Sequence, residues 1–362
     1  MKMIDPKDPT PKHSQLRKIL ITKLQRGDWT EGDQLPPETQ LAQDYGLARN
    51  TVRQALQALV LEGYLEKIHG KGTFIKDRFP QKLRTWAILV NDIQYDLYSV
   101  LIRGFEDVAQ ETGIQVIIGN SDNLPEKQSR YIQQMIARQV DGLAIVPIIY
   151  GGSKREDFEA LKRAGIPFVF CNRYLEGVKA PRVICDNEGG ACLAVEHLIE
   201  LGHTKIAYLS ESSYSVTQQR LLGYQQALQQ HGIPLNPRYV KMAAFRTEQA
   251  SYEMMKELLR LSTPPTAIFA FNDRTAAQAY QAILENGLSI PQDISVVGFD
   301  DVRIADALEP GLTTMIYPKY ETGREAGKLL LFLSEGELSS LETEVILKAT
   351  LKRRGSTTPP RT

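Results

Sequence analysis

From Trp86 onward, short apolar segments alternate with amphipathic ones over about 260 residues, and this alternation constrains the fold more than any other sequence feature. Each apolar segment has the length of a buried strand, and each intervening segment repeats its apolar residues with the period of a helix. The predicted strands are Trp86–Val90, Gln115–Gly119, Gly142–Val146, Phe168–Cys171, Lys205–Leu209, Ala267–Ala270 and Ser295–Gly298. The predicted helices cover roughly residues 98–112, 125–139, 154–164, 188–201, 217–231, 247–261 and 273–287.

Strands and helices that alternate at this spacing predict parallel sheets with helices on both faces. The segment is long enough for two such lobes. The predicted fold class is therefore α/β, with a two-lobed, Rossmann-like domain at residues 85–362.

Residues 1–76 show a different pattern of helices and strands, which predicts a separate domain. Two short helices, ending at Tyr45 and near Glu62, are joined by a turn at Gly46, and a hairpin with a glycine-rich tip follows. This order predicts a winged helix-turn-helix that binds DNA. Polar residues 77–84 predict a linker.

The second helix of a helix-turn-helix enters the major groove with its N-terminus first. In this chain that N-terminus carries Arg49, Asn50, Thr51 and Arg53, opposite a buried stripe. Arginine can bridge guanine, asparagine can bridge adenine, and threonine suits a phosphate or a thymine methyl group. The alternative is an ordinary solvated face. The hairpin tip, residues 69–72, is either a DNA-contacting wing or a plain turn.

The stretch from Leu35 to Ala42, the stretch from Gly46 to Leu56, and the wing residues Gly70 to Phe74 resemble the gluconate-repressor (GntR) family of winged helices. The resemblance implies that operator contacts come from the recognition helix and the wing. The residues that the resemblance implies are Arg49, Thr51, Arg53, His69 and Gly70. To these we add Glu38, Asn50 and Lys71. Ala48 departs from the family, which usually has a capping Ser or Thr there, and Thr39 stands where many members have Arg.

Polar and aromatic residues follow the predicted strand ends, which is where α/β sheets bind ligands. They predict a sugar site, because hydroxyls need bidentate polar partners and a sugar ring needs an aromatic platform. The alternative is that Asp and Asn at strand ends cap helices. Capping is equally plausible for Asn187 and Asp273, whereas ligand contact is favoured for Arg220 and Asp300. The strand-end candidates are Asn91, Asp92, Tyr95, Asp96, Tyr98, Asn172, Arg173, Glu211, Ser212, Asn272, Asp273, Asp300 and Asp301.

Residues 85–355 resemble the effector domain of the lactose-repressor (LacI) family, itself similar to periplasmic sugar-binding proteins. The resemblance rests on stretches such as Leu201 to Ile206, Arg220 to Tyr224, Phe271 to Asp273 and Ile294 to Asp301. It implies a cleft lined by Arg220, Asn272 and Asp300, with Tyr98, Arg173 and Tyr320 as partners, and dimerisation through this domain. It also implies a first lobe at about 85–187 and 318–335, and a second at about 188–316 and 336–355.

A GntR-type winged helix joined to a LacI-type effector domain resembles the arabinose-operon repressors of Gram-positive bacteria. That resemblance implies a homodimer that binds a pseudo-palindromic operator and is released by a small sugar, L-arabinose. The alternatives are another sugar, a sugar phosphate, a corepressor mechanism or, more remotely, a sugar transport binding protein.

The net charge of zero divides into +5 over residues 1–84 and −5 over the remainder, which favours a polyanionic partner for the N-terminal part alone. The three cysteines predict reduced thiols in a cytoplasmic protein, and we expect neither a secretory signal nor a membrane span. The five histidines lack metal-ligand spacing, and nucleophile-elbow and phosphate-loop motifs are absent. We therefore expect no enzyme activity, no cofactor and no metal.

Overall fold

The computed structural model describes residues 4, 10–25, 28–30, 32–76, 84–148, 152–210, 215–243, 249–335 and 343–361. The chain divides into two compact units, Met1–Arg84 and Thr85–Thr362. Of the predicted linker, 77–84, only Arg84 lies within the described residues.

Within its described residues, the first unit contains three helices and a two-stranded antiparallel hairpin. Its elements are α1 (Lys12–Gln25), α2 (Glu38–Tyr45), α3 (Arg49–Leu61), β1 (Leu65–Ile68) and β2 (Gly72–Ile75). Leucines from α1, α2 and α3 join Val52 and Ile75 in one buried core. Gly46 ends α2 in the left-handed conformation, with φ 62°, and turns the chain into α3. The predicted winged helix-turn-helix is confirmed.

In the part of the second unit that the structure describes, two six-stranded sheets are covered by helices. The helices are α4 (Asp96–Glu111), α5 (Pro125–Arg138), α6 (Arg155–Arg163), α7 (Asn187–Glu200), α8 (Ser215–Gln230), α9 (Ala250–Leu259), α10 (Asp273–Glu285), α11 (Arg303–Ala307) and α12 (Lys319–Glu335), with a 3₁₀ turn at Pro237–Tyr239. The strands are β3 (Thr85–Val90), β4 (Gln115–Asn120), β5 (Gly142–Ile145), β6 (Phe168–Cys171), β7 (Arg182–Cys185), β8 (Ile206–Ser210), β9 (Val240–Met242), β10 (Ala267–Ala270), β11 (Ser295–Asp300), β12 (Thr313–Ile316), β13 (Glu344–Leu347) and β14 (Thr350–Lys352).

Each sheet forms the centre of one lobe. The first has the strand order β4-β3-β5-β6-β7-β13, and the second has the order β9-β8-β10-β11-β12-β14. Every pairing is parallel except that of β14 with β12. All seven strands predicted from the sequence are present, and the predicted α/β fold with two lobes is confirmed.

One predicted boundary within the second unit is wrong. Residues 336–355 were assigned to the second lobe, but β13 pairs with β7 of the first sheet, Val345 opposite Val183. The chain returns to the second sheet only at β14. Both sheets end on an edge that can accept a short apolar strand, so the sequence of β13 does not select between them. Residues 336–342 lie outside the described part of the chain.

Two glycines bring α4 and α12 of the first lobe into close contact. A Cβ atom at Gly104 would lie 2.1 Å from the carbonyl oxygen of Tyr320, and one at Gly323 would lie 1.9 Å from that of Leu101. Both distances are too short for any side chain. The two helices therefore pack backbone to backbone, and this contact fixes α12 relative to the middle of α4.

Candidate functional site

The first turn of α3 presents polar side chains to solvent. Arg49 and Asn50 are exposed, while Thr51 and Arg53 are partly exposed. The core-facing side of the same helix consists of Val52, Ala55, Leu56 and Leu59, all of them buried. The polar residues therefore have no role in the core, and their guanidinium and amide groups suit the base edges of a major groove. Ala48 precedes the helix and, as expected, provides no side-chain cap.

Glu38, at the start of α2, forms ion pairs with the cations of this surface. Its carboxylate accepts hydrogen bonds from Arg53 Nη2 at 2.9 Å and from Arg49 Nε at 3.3 Å, and Lys67 Nζ of β1 lies 4.0 Å away. The hydrogen bond from Arg53 is the main cause that lowers the pKa of Glu38. A carboxylate placed this way repels phosphate but orients the arginines. In this arrangement Glu38 orients Arg49 and Arg53.

The hairpin tip is exposed, and a residue outside the hairpin hydrogen-bonds to its backbone. His69, Gly70 and Lys71 are exposed, and Gln34 Nε2 donates to the carbonyl oxygen of Lys71 at 2.7 Å. A Cβ atom at Gly72, where φ is 127°, would lie 2.4 Å from Gln34 Nε2. The predicted wing residues thus project from the unit on a fixed turn.

In the second unit, Arg220 of α8 lies at the centre of a buried polar group. Only 3% of it is exposed. Its guanidinium donates to Asn187 Oδ1 at 3.1 Å, to Asp300 Oδ1 at 3.2 Å and to the carbonyl oxygen of Phe271. It also lies over the Phe299 ring, 3.6 Å from the centroid. A buried charge is tolerated only when it is paired and hydrogen-bonded, and Arg220 meets both conditions.

Asp300, at the carboxyl end of β11, connects the two lobes. Its Oδ2 accepts a hydrogen bond of 2.5 Å from the hydroxyl of Tyr95, which precedes α4 in the first lobe. Its Oδ1 bonds Arg220 in the second lobe. Burial, and then the charge of Asp300, raise the pKa of Tyr95 well above its ordinary value, so the phenol remains a hydrogen-bond donor. The predicted residues Tyr95, Arg220 and Asp300 thus form one cluster.

Tyr98 and Arg173 lie in the first-lobe part of this cluster. The Tyr98 ring meets the Tyr95 ring edge-on at 6.1 Å, and Asn172 Nδ2 lies 3.5 Å from the Tyr98 hydroxyl. With its amide oriented to satisfy both neighbours, Asn91 accepts from Arg173 Nη1 at 3.2 Å. Burial raises the pKa of Tyr98, and the charge of Arg173 acts in the opposite direction. Aromatic faces and amide groups are thus combined in the way that a sugar requires.

Asn272 and Asp273 have different structural roles at the start of α10. Asn272 Oδ1 accepts from the Thr275 backbone N–H at 2.8 Å and so caps α10. Asp273 is fully buried, and its carboxyl group contacts Thr314 Oγ1 at 2.5 Å and the Val302 N–H at 2.8 Å. Asp273 does not cap α10, because Asn272 does; its contacts link α10 to β12 and to the residue before α11, and ligand contact stays a prediction. Asn272 caps α10 and also lies close to the carboxyl end of β10.

Asn187 supports the cluster instead of capping a helix. Asp186 is the residue that caps α7, through a hydrogen bond from the Gly189 N–H, and Asn187 accepts from Arg220. The strand-end candidates Glu211 and Ser212 lie outside the described residues.

Tyr320 does not join the cluster, and this expectation is corrected. Its hydroxyl donates to Asp107 Oδ2 at 2.7 Å. Asp107 lies twelve residues beyond Tyr95 along α4, which is about 18 Å at 1.5 Å per residue. The side chain therefore fastens α12 to the far half of α4. Its neighbour Lys319, which the sequence analysis did not select, is the residue that reaches the end of β11.

Two further contacts join the lobes beside the cluster. Arg303 lies 3.6 Å from Asp96 through its Nε, and Arg274 Nη2 lies 3.9 Å from Asp92. Arg274 also lies over the Tyr95 ring at 4.9 Å. Arg274 and Arg303 were missed because one arginine on an exposed helix face gives no recognisable signal in the sequence.

The three cysteines are free and buried, and burial raises the pKa of Cys171 and Cys185 to about 12. They are therefore inert thiols. In the part of the chain that the structure describes, no helix has the length and apolarity to cross a membrane, and no group of three or more metal-ligating side chains comes together.

Comparison with known proteins gives matches in both units. Residues 12–75 match the family described as bacterial regulatory proteins, gntR family, and residues 195–357 match the periplasmic binding protein-like domain. Together with the two sites, these matches define the class: a DNA-binding transcriptional repressor with a LacI-type sugar-binding domain.

The relatives cover almost the whole chain. The arabinose metabolism transcriptional repressor of Geobacillus stearothermophilus is 33% identical over 358 residues, covering 96% of this chain and 98% of that protein. Its counterpart from Halalkalibacterium halodurans is 30% identical, covering 90% of each chain. A LacI family regulator from Enterococcus faecium, solved with bound ribose, superposes with a TM-score of 0.66 and 29% identity over 76% of this chain and all of that one. The chain belongs to the family of these GntR-type repressors with a LacI-type effector domain.

Proposed function

We propose that this repressor is released from its operator by a small neutral sugar, and that the sugar is L-arabinose. The observation that carries the proposal is the buried cluster of Arg220, Asp300 and Tyr95, which joins the two lobes at the carboxyl ends of their strands. A sugar bound there would contact both lobes at once. Its binding energy can therefore favour one arrangement of the lobes over another.

The charges of the cleft favour a neutral ligand over a sugar phosphate. Arg220 is paired with Asp300, Arg274 with Asp92, and Arg303 with Asp96. A phosphate group would have to compete with these carboxylates for the arginines. Sugar hydroxyls, by contrast, both donate and accept hydrogen bonds, and they can use arginine and carboxylate together.

Two observations on relatives support a pentose. The Geobacillus and Halalkalibacterium relatives are both named arabinose metabolism repressors, and the Enterococcus structure was solved with ribose. L-Arabinose is thus the first ligand to test, with ribose as the closest comparison.

For the output, we propose a homodimer in which each winged helix binds half of a pseudo-palindromic operator. Arg49, Asn50, Thr51 and Arg53 would contact bases and phosphates from α3, and the tip residues 69–71 would contact the backbone or the minor groove. Such a repressor would act in the cytoplasm. Sugar binding would change the spacing between the two DNA-binding units.

A thermal-shift screen of the full-length protein tests the choice of ligand. The panel contains L-arabinose, ribose, hexoses and their phosphates, and a ligand at 100 times its Kd should stabilise the protein by about 2.7 kcal/mol. We expect the largest shift with L-arabinose and none with Asp300→Asn. The Arg49→Ala variant, altered on the DNA surface, is the control and should respond like the wild type. A larger shift with a sugar phosphate would overturn the proposal of a neutral sugar.

A further inference from the structure

The chain takes an uncommon backbone conformation where β11 ends. Asp300 has φ 107° and Asp301 has φ 51°, so two successive residues with side chains lie in the region that favours glycine. Such a conformation costs free energy and persists only where surrounding contacts impose it. Because the Asp300 carboxylate is the one that bonds Arg220 and Tyr95, this backbone conformation decides where that carboxylate points.

Lys319, a residue of the first lobe, hydrogen-bonds the backbone of this turn. Its ammonium donates to the carbonyl oxygens of Asp300, at 2.5 Å, and of Asp301, at 3.0 Å. Lysine is well suited to this, because one ammonium carries three donors that can serve two carbonyls simultaneously.

The second lobe holds the same turn through a different set of atoms. Arg354 Nη2 bonds the Asp301 carboxylate at 2.6 Å, and Lys352 Nζ lies 3.4 Å from it. The turn is therefore held on its backbone by the first lobe and on its side chain by the second.

The attachment to the first lobe is rigid. Lys319 is the first residue of α12, and α12 packs backbone to backbone on α4 through Gly104 and Gly323. Tyr95, which bonds the Asp300 carboxylate, lies immediately before α4. Lys319 and Tyr95 thus contact one aspartate from the starts of two helices that are packed against each other.

We propose that Lys319 is a positioning residue. It imposes the backbone conformation that aims the Asp300 carboxylate at the effector, and it conveys to the first lobe whether a sugar is bound at Asp300. The inference rests on the proposed function, because it assigns Lys319 to the same sugar site. It does not require Lys319 to touch the sugar.

The test compares full-length Lys319→Met with Lys328→Met. Methionine keeps the length of the side chain and removes the donors, and Lys328→Met removes a cation of the same helix that pairs with Glu325. Isothermal titration gives the Kd for L-arabinose, and fluorescence anisotropy gives the Kd for an operator duplex with and without saturating sugar.

We expect Lys319→Met to raise the sugar Kd by about tenfold or more, the usual size for a lost charged hydrogen bond. Its operator Kd at saturating sugar should approach its sugar-free value, which should itself equal that of the wild type. A purely structural role for Lys319 would not produce this selective loss. Lys328→Met should behave like the wild type in all three measurements.

Wild-type sugar affinity and full release in Lys319→Met would overturn the inference and leave the proposed function standing. A wild-type protein that binds no sugar would overturn both. If thermal unfolding shows that Lys319→Met does not fold, Lys319→Gln provides the same readouts, because its amide can serve one carbonyl and should give an intermediate loss. A Lys319→Gln protein identical to the wild type would also contradict the inference.

Discussion

At the scale of single residues, the sensor places a carboxyl group where ionisation is unfavourable. Burial, and then the charge of Asp300, raise the pKa of Asp273 to about 8 from an ordinary value of 3.8. Between these two values the folded protein binds a proton that the unfolded chain has released. The contribution of Asp273 to stability is therefore full below about pH 4 and is lost as the pH rises toward 8.

Asp273→Asn should remove this pH dependence. The amide can still accept from the Val302 N–H and donate to Thr314 Oγ1, so the packing is kept. We expect the melting temperature of the wild type, relative to that of the variant, to fall steadily between pH 4 and pH 8. Thermal unfolding of both proteins across this range measures the difference, and a difference that stays constant would show that Asp273 is ionised in the folded protein.

Glu38 bonds Arg49 and Arg53 and lies 4.0 Å from Lys67, so it positions three cations on the surface that we propose binds DNA. Without Glu38 this surface would gain net positive charge but lose the arrangement that we propose reads bases.

Glu38→Gln should therefore reduce specificity while retaining general affinity for DNA. We expect the ratio of operator to scrambled-duplex affinity to fall by about tenfold, the usual scale for one well-placed base contact. The matched control is Glu62→Gln, since Glu62 pairs with Arg17 in the same unit. Anisotropy titrations at one fixed salt concentration give both affinities. An unchanged ratio would mean that Glu38 does not position the arginines.

At the scale of elements, the pairing of α4 with α12 depends on two glycines. A Cβ atom at Gly323 would lie 1.9 Å from the carbonyl oxygen of Leu101, which is backbone and cannot turn aside. The helices would have to separate to accommodate it.

Gly323→Ala should therefore destabilise the protein by about 1–3 kcal/mol, the common cost of overpacking, and should weaken sugar binding by displacing α12. Lys328→Ala, on a half-exposed part of the same helix, is the control for helix propensity. Urea unfolding gives the free energies of unfolding. Equal midpoints for Gly323→Ala and Lys328→Ala would show that the helices do not need the close contact.

The sequence predicted the elements of this fold better than their pairing. Buried parallel strands such as Phe168–Cys171 are continuous apolar runs, and their limits could be predicted. Shorter and more polar strands, such as Val240–Met242 and Thr350–Lys352, give no such signal. The sheet to which β13 belongs depends on contacts far along the chain, which no local pattern reveals.

The residues of the candidate site also differ in whether the sequence could predict them. Asp300 could be predicted because it ends a strand at the edge of the sheet where ligands bind, and Arg220 because it lies on the helix after another such strand. Tyr320 was selected and Lys319 was missed, although the two are neighbours, because successive residues on a helix point about 100° apart. Only the packing of α12 on α4 decides which of them faces the end of β11.

At the scale of the whole molecule, charge and function divide between the two units. Residues 1–84 carry a net charge of +5 and include the arginines of α3, whereas the remainder carries −5 and includes the cluster around Asp300. Net charge therefore favours attraction to DNA by the N-terminal unit. The sensor can change DNA affinity only through a difference in how the sugar binds its two states.

The most direct test of this account measures release from DNA. An operator duplex selected by the protein from random-sequence DNA is titrated at constant salt, with and without saturating L-arabinose. The wild type should lose operator affinity by about tenfold or more, within the usual range of coupling between two sites. Asp300→Asn should bind the operator equally well and stay bound when the sugar is added. Operator affinity of the wild type that does not change with saturating sugar would contradict the account.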